Sequence, residues 1–371
     1  MHTPYDIIDA DGHLFESAPG AVDWARYMPE GFKDRAPKVI PPTDTALGLL
    51  IDGKPFPPST TGGRKLRGVP HSQLHTSRPG MWDPHVRVHD MDIEGIRVAV
   101  LFSTHLGQRV GEFEDRALAV ALAQCYNNWL GDLCRPYPDR LKGAAAVPIN
   151  DMEETLKEVD RAVSMFGMPT VGLLPHINYR NLDDPYYEPL YRELERLDIS
   201  LSSHYQGVAN HMGKDRKFAF FYSHILQHPL EQMMAFAYVT SGGVLDRHPK
   251  LRVAFLEGNV GWLPWWVDRV DEHYEKLSDQ VAAKAKPSDY LKGDNLFFGC
   301  EVEEATLPYV CEKVGAERLL YASDYWHWDA TFPGSVKALQ ERTDLPEDAK
   351  RLILGENAKR LYKLNGKGTK K

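Results

Sequence analysis

Short, nearly unbroken apolar runs recur along the chain, and most are followed by a stretch of helical periodicity. The runs are Asp6–Ala10, Ile96–Ser103, Leu141–Pro148, Thr170–Leu174, Ile199–Ser203, Leu251–Glu257, Asn295–Gly299 and Leu319–Ser323. Continuous apolarity over so few residues is the pattern of strands buried on both faces of a parallel sheet. Helical patterns fall at Asp83–Gly95, Glu112–Leu133, Asp151–Phe166, Pro185–Arg196, Phe218–Val239, Trp262–Lys276, Glu304–Val314 and Pro346–Leu364. Asp151, with Glu154 three residues on, reads as a helix cap. Strand alternating with helix through eight units predicts a closed (β/α)8 barrel, although a doubly wound open sheet gives similar alternation.

The first unit breaks the rhythm, because about 80 residues separate its strand from the next, too many for a plain connection. The stretch from 19 to 79 is rich in Pro, Gly and Thr, with Pro41-Pro42, Pro57-Pro58 and Gly62-Gly63. We read it as an insertion capping the barrel mouth; the alternative is a loosely ordered surface segment. The expected organisation is one domain over residues 1–371.

The 371 residues carry a net charge of -8, which gives no reason to expect nucleic acid or an anionic membrane as partner. The four cysteines, Cys125, Cys134, Cys300 and Cys311, form no C-x-x-C pair and no disulfide framework. With no signal-peptide pattern and no apolar run of membrane-spanning length, the expectation is a soluble cytoplasmic protein. Phosphate-binding, dinucleotide and nucleophile-elbow glycine motifs are missing.

Polar residues able to bind metal stand at the carboxyl ends of several predicted strands, and in a barrel those ends converge on one mouth. The first strand runs into Asp11-Gly12-His13. Residues two apart in a strand share a side, so Asp11 and His13 can reach one ion. The fifth ends in His204, an imidazole suited to Zn, Mn, Fe or Co. The eighth leads into Asp324, then Trp326 and His327. Each has a plain alternative as a turn or packing residue; together they point to a metal site. Glu257 ends a wholly apolar strand and needs a cation or a donor, for which Arg252 or Arg269 is the structural alternative. His176, His105, Glu301 and Glu303 are read as structural. His224 and His228 lie four apart on one helix face, and Pro229 suggests that a helix starts there. Trp262, Trp265 and Trp266 are read as helix-to-barrel packing.

With these positions in hand, the chain resembles the amidohydrolase superfamily, in the branch of aminocarboxymuconate-semialdehyde decarboxylase and resorcylate decarboxylase. The resemblance rests on Asp9 to Glu16, Gly242 to Arg252, Leu256 to Trp262, Ser323 to His327 and Glu356 to Tyr362. It implies a distorted barrel with a divalent metal held by Asp11, His13, His204 and Asp324. It also implies metal-activated water attack or non-oxidative decarboxylation of an aromatic or enol acid. Two departures stand out. Asp-x-His replaces the common His-x-His, which favours Mn or Fe over Zn. Glu257 stands where the decarboxylases tend to place a His, which suits a second metal, with Glu16 or His228 as further ligands.

The leading expectation is a metal-dependent hydrolase or lyase acting on a small organic acid or amide with one ion. Asp324 serves as base, Glu257 and His228 orient the substrate, and His327 and Trp326 contact it. A rival is a two-metal iron or mixed-metal monooxygenase, possible partners being a second copy or a related subunit. The third reading is a non-catalytic subunit of a paired complex.

Overall fold

The computed structural model describes residues 5–40, 48–56, 78–206, 220–327 and 329–364. Eight parallel strands form one sheet: β1 (Ile7–Leu14), β2 (Ile96–Ser103), β3 (Leu141–Ala145), β4 (Thr170–Leu173), β5 (Ser200–His204), β6 (Val253–Leu256), β7 (Leu296–Cys300) and β8 (Leu319–Tyr321). They lie side by side in chain order. Beyond the ladder pairs, Asp324 N–H donates to the Asp11 carbonyl (3.0 Å) and His13 N–H to the Tyr325 carbonyl (2.8 Å). These two bonds join the exit of β8 to the end of β1 and nearly close the barrel, as the strand pattern predicts.

Seven strands are followed by α1 (Pro84–Glu94), α2 (Arg116–Cys134), α3 (Met152–Phe166), α4 (Glu188–Leu197), α5 (Phe220–Ser241), α6 (Leu263–Leu277) and α7 (Leu307–Lys313). Asp83, Asp115 and Asp151 cap α1, α2 and α3, each side chain accepting from backbone N–H groups of the first turn. The predicted helix from Pro346 is instead three pieces, Glu347–Arg351, a π-helical turn Leu352–Glu356 and Asn357–Tyr362. The turn brings Gly355 against β1, where a Cβ would lie 2.1 Å from the Asp6 carbonyl oxygen. Phe218 lies outside the described residues, and α5 runs through Pro229. The expected helix start at His228 is therefore overturned: the helix absorbs the proline within its third turn.

Inside the barrel, Ile8, Ala10, Val100, Phe102, Leu256 and Phe297 form an inner core, closed from below by Leu361 and Tyr362. The Tyr362 hydroxyl donates to the Ala10 carbonyl (2.9 Å). A larger apolar layer fills the space between strands and helices. Trp262 and Trp266 pack there, whereas Trp265 is 59% exposed, a departure from the expected packing role.

Of the insertion expected at 19–79, residues 41–47 and 57–77 lie outside the described residues. The remainder includes a small antiparallel sheet, Lys38–Ile40, Gly48–Ile51 and Lys54–Phe56. Phe56 stacks near Phe113 and under the Arg109 guanidinium, and Arg35 pairs with Asp115, so this sheet docks on the loop that leaves β2.

Candidate metal centre

The first strand is irregular where the chemistry begins. Its register against β2 passes from Asp9↔Ala99 to Gly12↔Leu101, so β1 carries one extra residue. Before the bulge, Ile8 and Ala10 face the barrel interior and Ile7 the outer layer. After it, Asp11 and His13 face inward while Leu14 packs in the outer layer. Strict alternation would have left Asp11 and His13 on the helix side with Ile7. The bulge reverses that and turns both side chains into the mouth.

At the mouth the side chains meet. His13 Nε2 lies 3.1 Å from His204 Nε2, 3.3 Å from Asp324 Oδ1 and 3.7 Å from Asp11 Oδ1. His204 Nε2 is 3.3 Å from Asp11 Oδ1. Glu257 Oε2 stands 3.8 Å and 3.9 Å from the two imidazoles. Donors about 2.1 Å from a shared tetrahedral ion are spaced by roughly 3.4 Å, so these separations fit one ion. The imidazole of His204 presents Nδ1 to the Tyr205 carbonyl at 3.0 Å, which fixes the tautomer with its Nε2 lone pair toward the cluster. Asp11 Oδ1 and Asp324 Oδ1 are buried and make no well-aligned hydrogen bond, their near neighbours being imidazole nitrogens of the same cluster. A buried carboxylate oxygen in that condition calls for a cation. The cluster is thus able to hold a divalent metal.

Electrostatics agree with that reading. Burial, reinforced by His327 and His204, holds His13 well below the usual imidazole range, which favours the neutral form that a metal ligand needs. His204 is held above that range: burial opposes its charge, but Asp11 and Glu257 outweigh it. Burial and the neighbouring Asp324 push Glu257 well above the carboxylate range. Asp324 is raised in the same way, by burial and then by Asp329 and Asp11.

Of the other expected site residues, His228 reaches the cluster from α5, its Nδ1 3.6 Å from Glu257 Oε1. His224, His228 and Glu257 form a neighbouring group of potential ligands. His327 joins as well, with Nδ1 2.6 Å from Asp324 Oδ1 and its ring 4.0 Å from that of His13. Two residues are not brought in. Glu16 turns both oxygens onto the start of the β2 loop, accepting from the Thr104, His105 and Leu106 amides at 3.2, 2.8 and 2.7 Å. Trp326 packs on Phe332 and the Arg78 guanidinium. The arginine partner considered for Glu257 is excluded for Arg252, which donates to Asp198 and to the Leu361 carbonyl.

A layer that sequence reasoning missed holds the ligand-bearing strand ends. On α5, the Gln232 carboxamide donates to the Ser203 and Leu256 carbonyls (2.9 and 2.6 Å) and accepts from Ser203 Oγ (3.0 Å). It fastens the residues just before His204 and Glu257. On the opposite side, Asp9 accepts from Ser323 N–H and Oγ (3.0 and 2.6 Å), fastening the residue just before Asp324. A glutamine among the apolar residues of a helix, and an aspartate inside an apolar strand, were the available signals.

Known proteins share this fold. The sequence profile of the Amidohydrolase family (Amidohydro_2) matches residues 8–364. The 2-amino-3-carboxymuconate-6-semialdehyde decarboxylase of Dictyostelium discoideum is 25% identical over 75% of this chain and 76% of its own length. A gamma-resorcylate decarboxylase of Rhizobium sp. is 28% identical over 74% of this chain and 86% of its own. An amidohydrolase from Mycobacterium avium subsp. paratuberculosis superposes with a TM-score of 0.78 at 19% identity, covering 97% of this chain and 98% of its own. Another fold match is 5-carboxyvanillate decarboxylase of Novosphingobium aromaticivorans, solved with manganese and a nitrobenzoic acid, at TM-score 0.69 and 22% identity, covering 97% of this chain and 96% of its own. With a barrel whose strand ends gather two imidazoles and a set of buried carboxylates, and a family profile spanning nearly its whole length, the chain is a metal-dependent enzyme that belongs to the amidohydrolase family.

Proposed function

We propose that the protein catalyses non-oxidative decarboxylation of a small aromatic or enol carboxylic acid, with one divalent ion held by Asp11, His13, His204 and Asp324. The observation that carries this reading is the clustering of Asp11, His13, His204 and Glu257, with Asp324 joined to it 3.3 Å from His13, and with carboxylate oxygens on Asp11 and Asp324 that make no well-aligned hydrogen bond. The relatives that cover about three quarters of the chain and bear decarboxylase names support that reaction type. A bound Mn2+ or similar ion would supply Lewis-acid stabilisation of the negative charge on the acid.

The chain's own residues supply the proton. Replacing carboxylate by hydrogen needs one proton delivered to the carbon that bears the carboxylate, after which the carbon–carbon bond electrons return to the ring or enol as CO2 departs. Glu257 is suited to be the donor: it stands beside the cluster with Oε1 toward His228, and in the ion-free site burial and Asp324 favour its protonated form. His228, 3.6 Å from Glu257 Oε1, is placed to restore that proton. His327, against Asp324 and His13, orients the substrate.

The test is a panel of ortho-hydroxybenzoates and carboxymuconate-type enol acids, incubated without oxygen with manganese-loaded protein and followed by CO2 release. Release from at least one member, lost in Glu257→Gln, is expected. Hydrolysis of amides or lactones in place of CO2 release, oxygen consumption coupled to substrate loss, or two metal ions per chain by elemental analysis would each count against the proposal.

A further inference from the structure

One buried cation lies behind the ligand strand and takes no part in the chemistry described above. Arg87, on α1, is fully buried. Its Nη1 donates to the His13 carbonyl at 2.8 Å. The guanidinium lies 4.2 Å from the ring centroid of Tyr325, and Nη2 lies 3.9 Å from Asp9 Oδ2. Burying an arginine is costly unless it is paired, so each of these contacts constrains where the strand ends can sit.

The contacts converge on the ligands. Asp9 accepts from the Asp11 amide (3.2 Å) as well as from Ser323. Ser323 Oγ in turn accepts from the Tyr325 amide (3.1 Å), so both neighbours of Asp324 are tied into the same network. Gly12, between the two ligands of β1, faces this arginine: a Cβ there would lie 2.3 Å from Nη2 and 2.6 Å from Asp9 Oδ2. Any side chain at this position would have to displace the guanidinium or the Asp9 carboxylate.

We propose that Arg87 is a positioning residue for the metal centre. It holds Asp11, His13 and Asp324 at ligand spacing by gripping the β1 backbone at His13 and the β8 exit through Tyr325 and Asp9. The inference rests on the single-ion reading of the site. Loss of groups that orient metal ligands costs about 10- to 100-fold in metal affinity, and lysine is no replacement for a planar fork that bonds and stacks at once.

Metal-free wild type, Arg87→Lys, Arg87→Met and Met91→Ala are titrated with Mn2+ by calorimetry, with thermal midpoints recorded alongside. Met91 is buried on the same helix in the outer apolar layer, so Met91→Ala reports general loosening of α1. The expected result is a dissociation constant raised about 10- to 100-fold in both Arg87 variants and within about threefold of wild type in Met91→Ala. Arg87→Lys keeps the buried charge and serves if Arg87→Met does not fold. Wild-type affinity in Arg87→Lys, whatever its midpoint, overturns the inference while leaving the metal reading intact. A wild type that takes up no Mn2+ overturns both.

Discussion

Glu257 and Asp324 leave their strands with positive φ, 59° and 48°. Such backbone at a non-glycine residue costs about 1–3 kcal/mol and persists where the surroundings over-determine it. Both side chains are aimed into the cluster by that turn. Asp324→Asn keeps the shape, loses a charge and relieves a buried carboxylate, so turnover should vanish while the thermal midpoint of the metal-free protein holds or rises. Assay and melt on one preparation check this, and near-wild-type turnover would rule out Asp324 as a ligand. Asp90 gives a second residue-scale expectation. Burial raises its carboxyl, but hydrogen bonds from Arg78 and Tyr325 outweigh burial and hold it below the usual value. A depressed carboxyl contributes stability that is complete above the unfolded pKa, about 4, and is lost as pH falls through the lower folded value. Asp90→Asn should therefore lower the urea midpoint by a constant amount from pH 7 to pH 5, with the gap closing only below about pH 4.

At the scale of elements, the strand ends of the cluster are fastened by side chains from neighbouring elements. Gln232 on α5 bridges β5 and β6 with three hydrogen bonds. Gln232→Leu leaves two strand-end carbonyls unpaired and should cost about 1–3 kcal/mol, together with weaker Mn2+ binding, both measurable on purified protein. Unchanged stability and affinity would make the bridge incidental. This layer also marks where the sequence stopped being readable. The strands were legible because apolar runs are local, and Asp11, His13, His204 and Asp324 were legible because each ends such a run. Asp9 and Gln232 were not, since their partners come from distant segments and no periodicity announces them. The β1 bulge was hidden for a related reason: it shows only in the pairing register with β2. Pro229 misled because α5 accommodates a proline that usually opens a helix.

For the whole molecule, the metal site is an electrostatic debt in the free protein. Asp11, Glu257 and Asp324 crowd together in the mouth, and binding a cation should raise stability by about 2.7 kcal/mol at a hundredfold excess over the dissociation constant. Chelation should accordingly lower the thermal midpoint. The size of the drop depends on pH with a definite sign. Glu257 and Asp324 titrate above the normal carboxylate range in the ion-free fold. Such groups favour the fold below their unfolded pKa, and that contribution fades as pH rises through the folded value. The difference between loaded and chelated midpoints should thus widen from pH 5 to pH 8; a constant difference would contradict the raised carboxyls. Among the described residues no helix is long and apolar enough to cross a membrane. The seam between β8 and β1 carries one more consequence. Asp11 and His13 come from the first strand and Asp324 from just past the last, on either side of a junction held by two backbone bonds. The cation pocket therefore cannot exist before the eighth strand has docked beside the first, and a captured ion would rivet that junction.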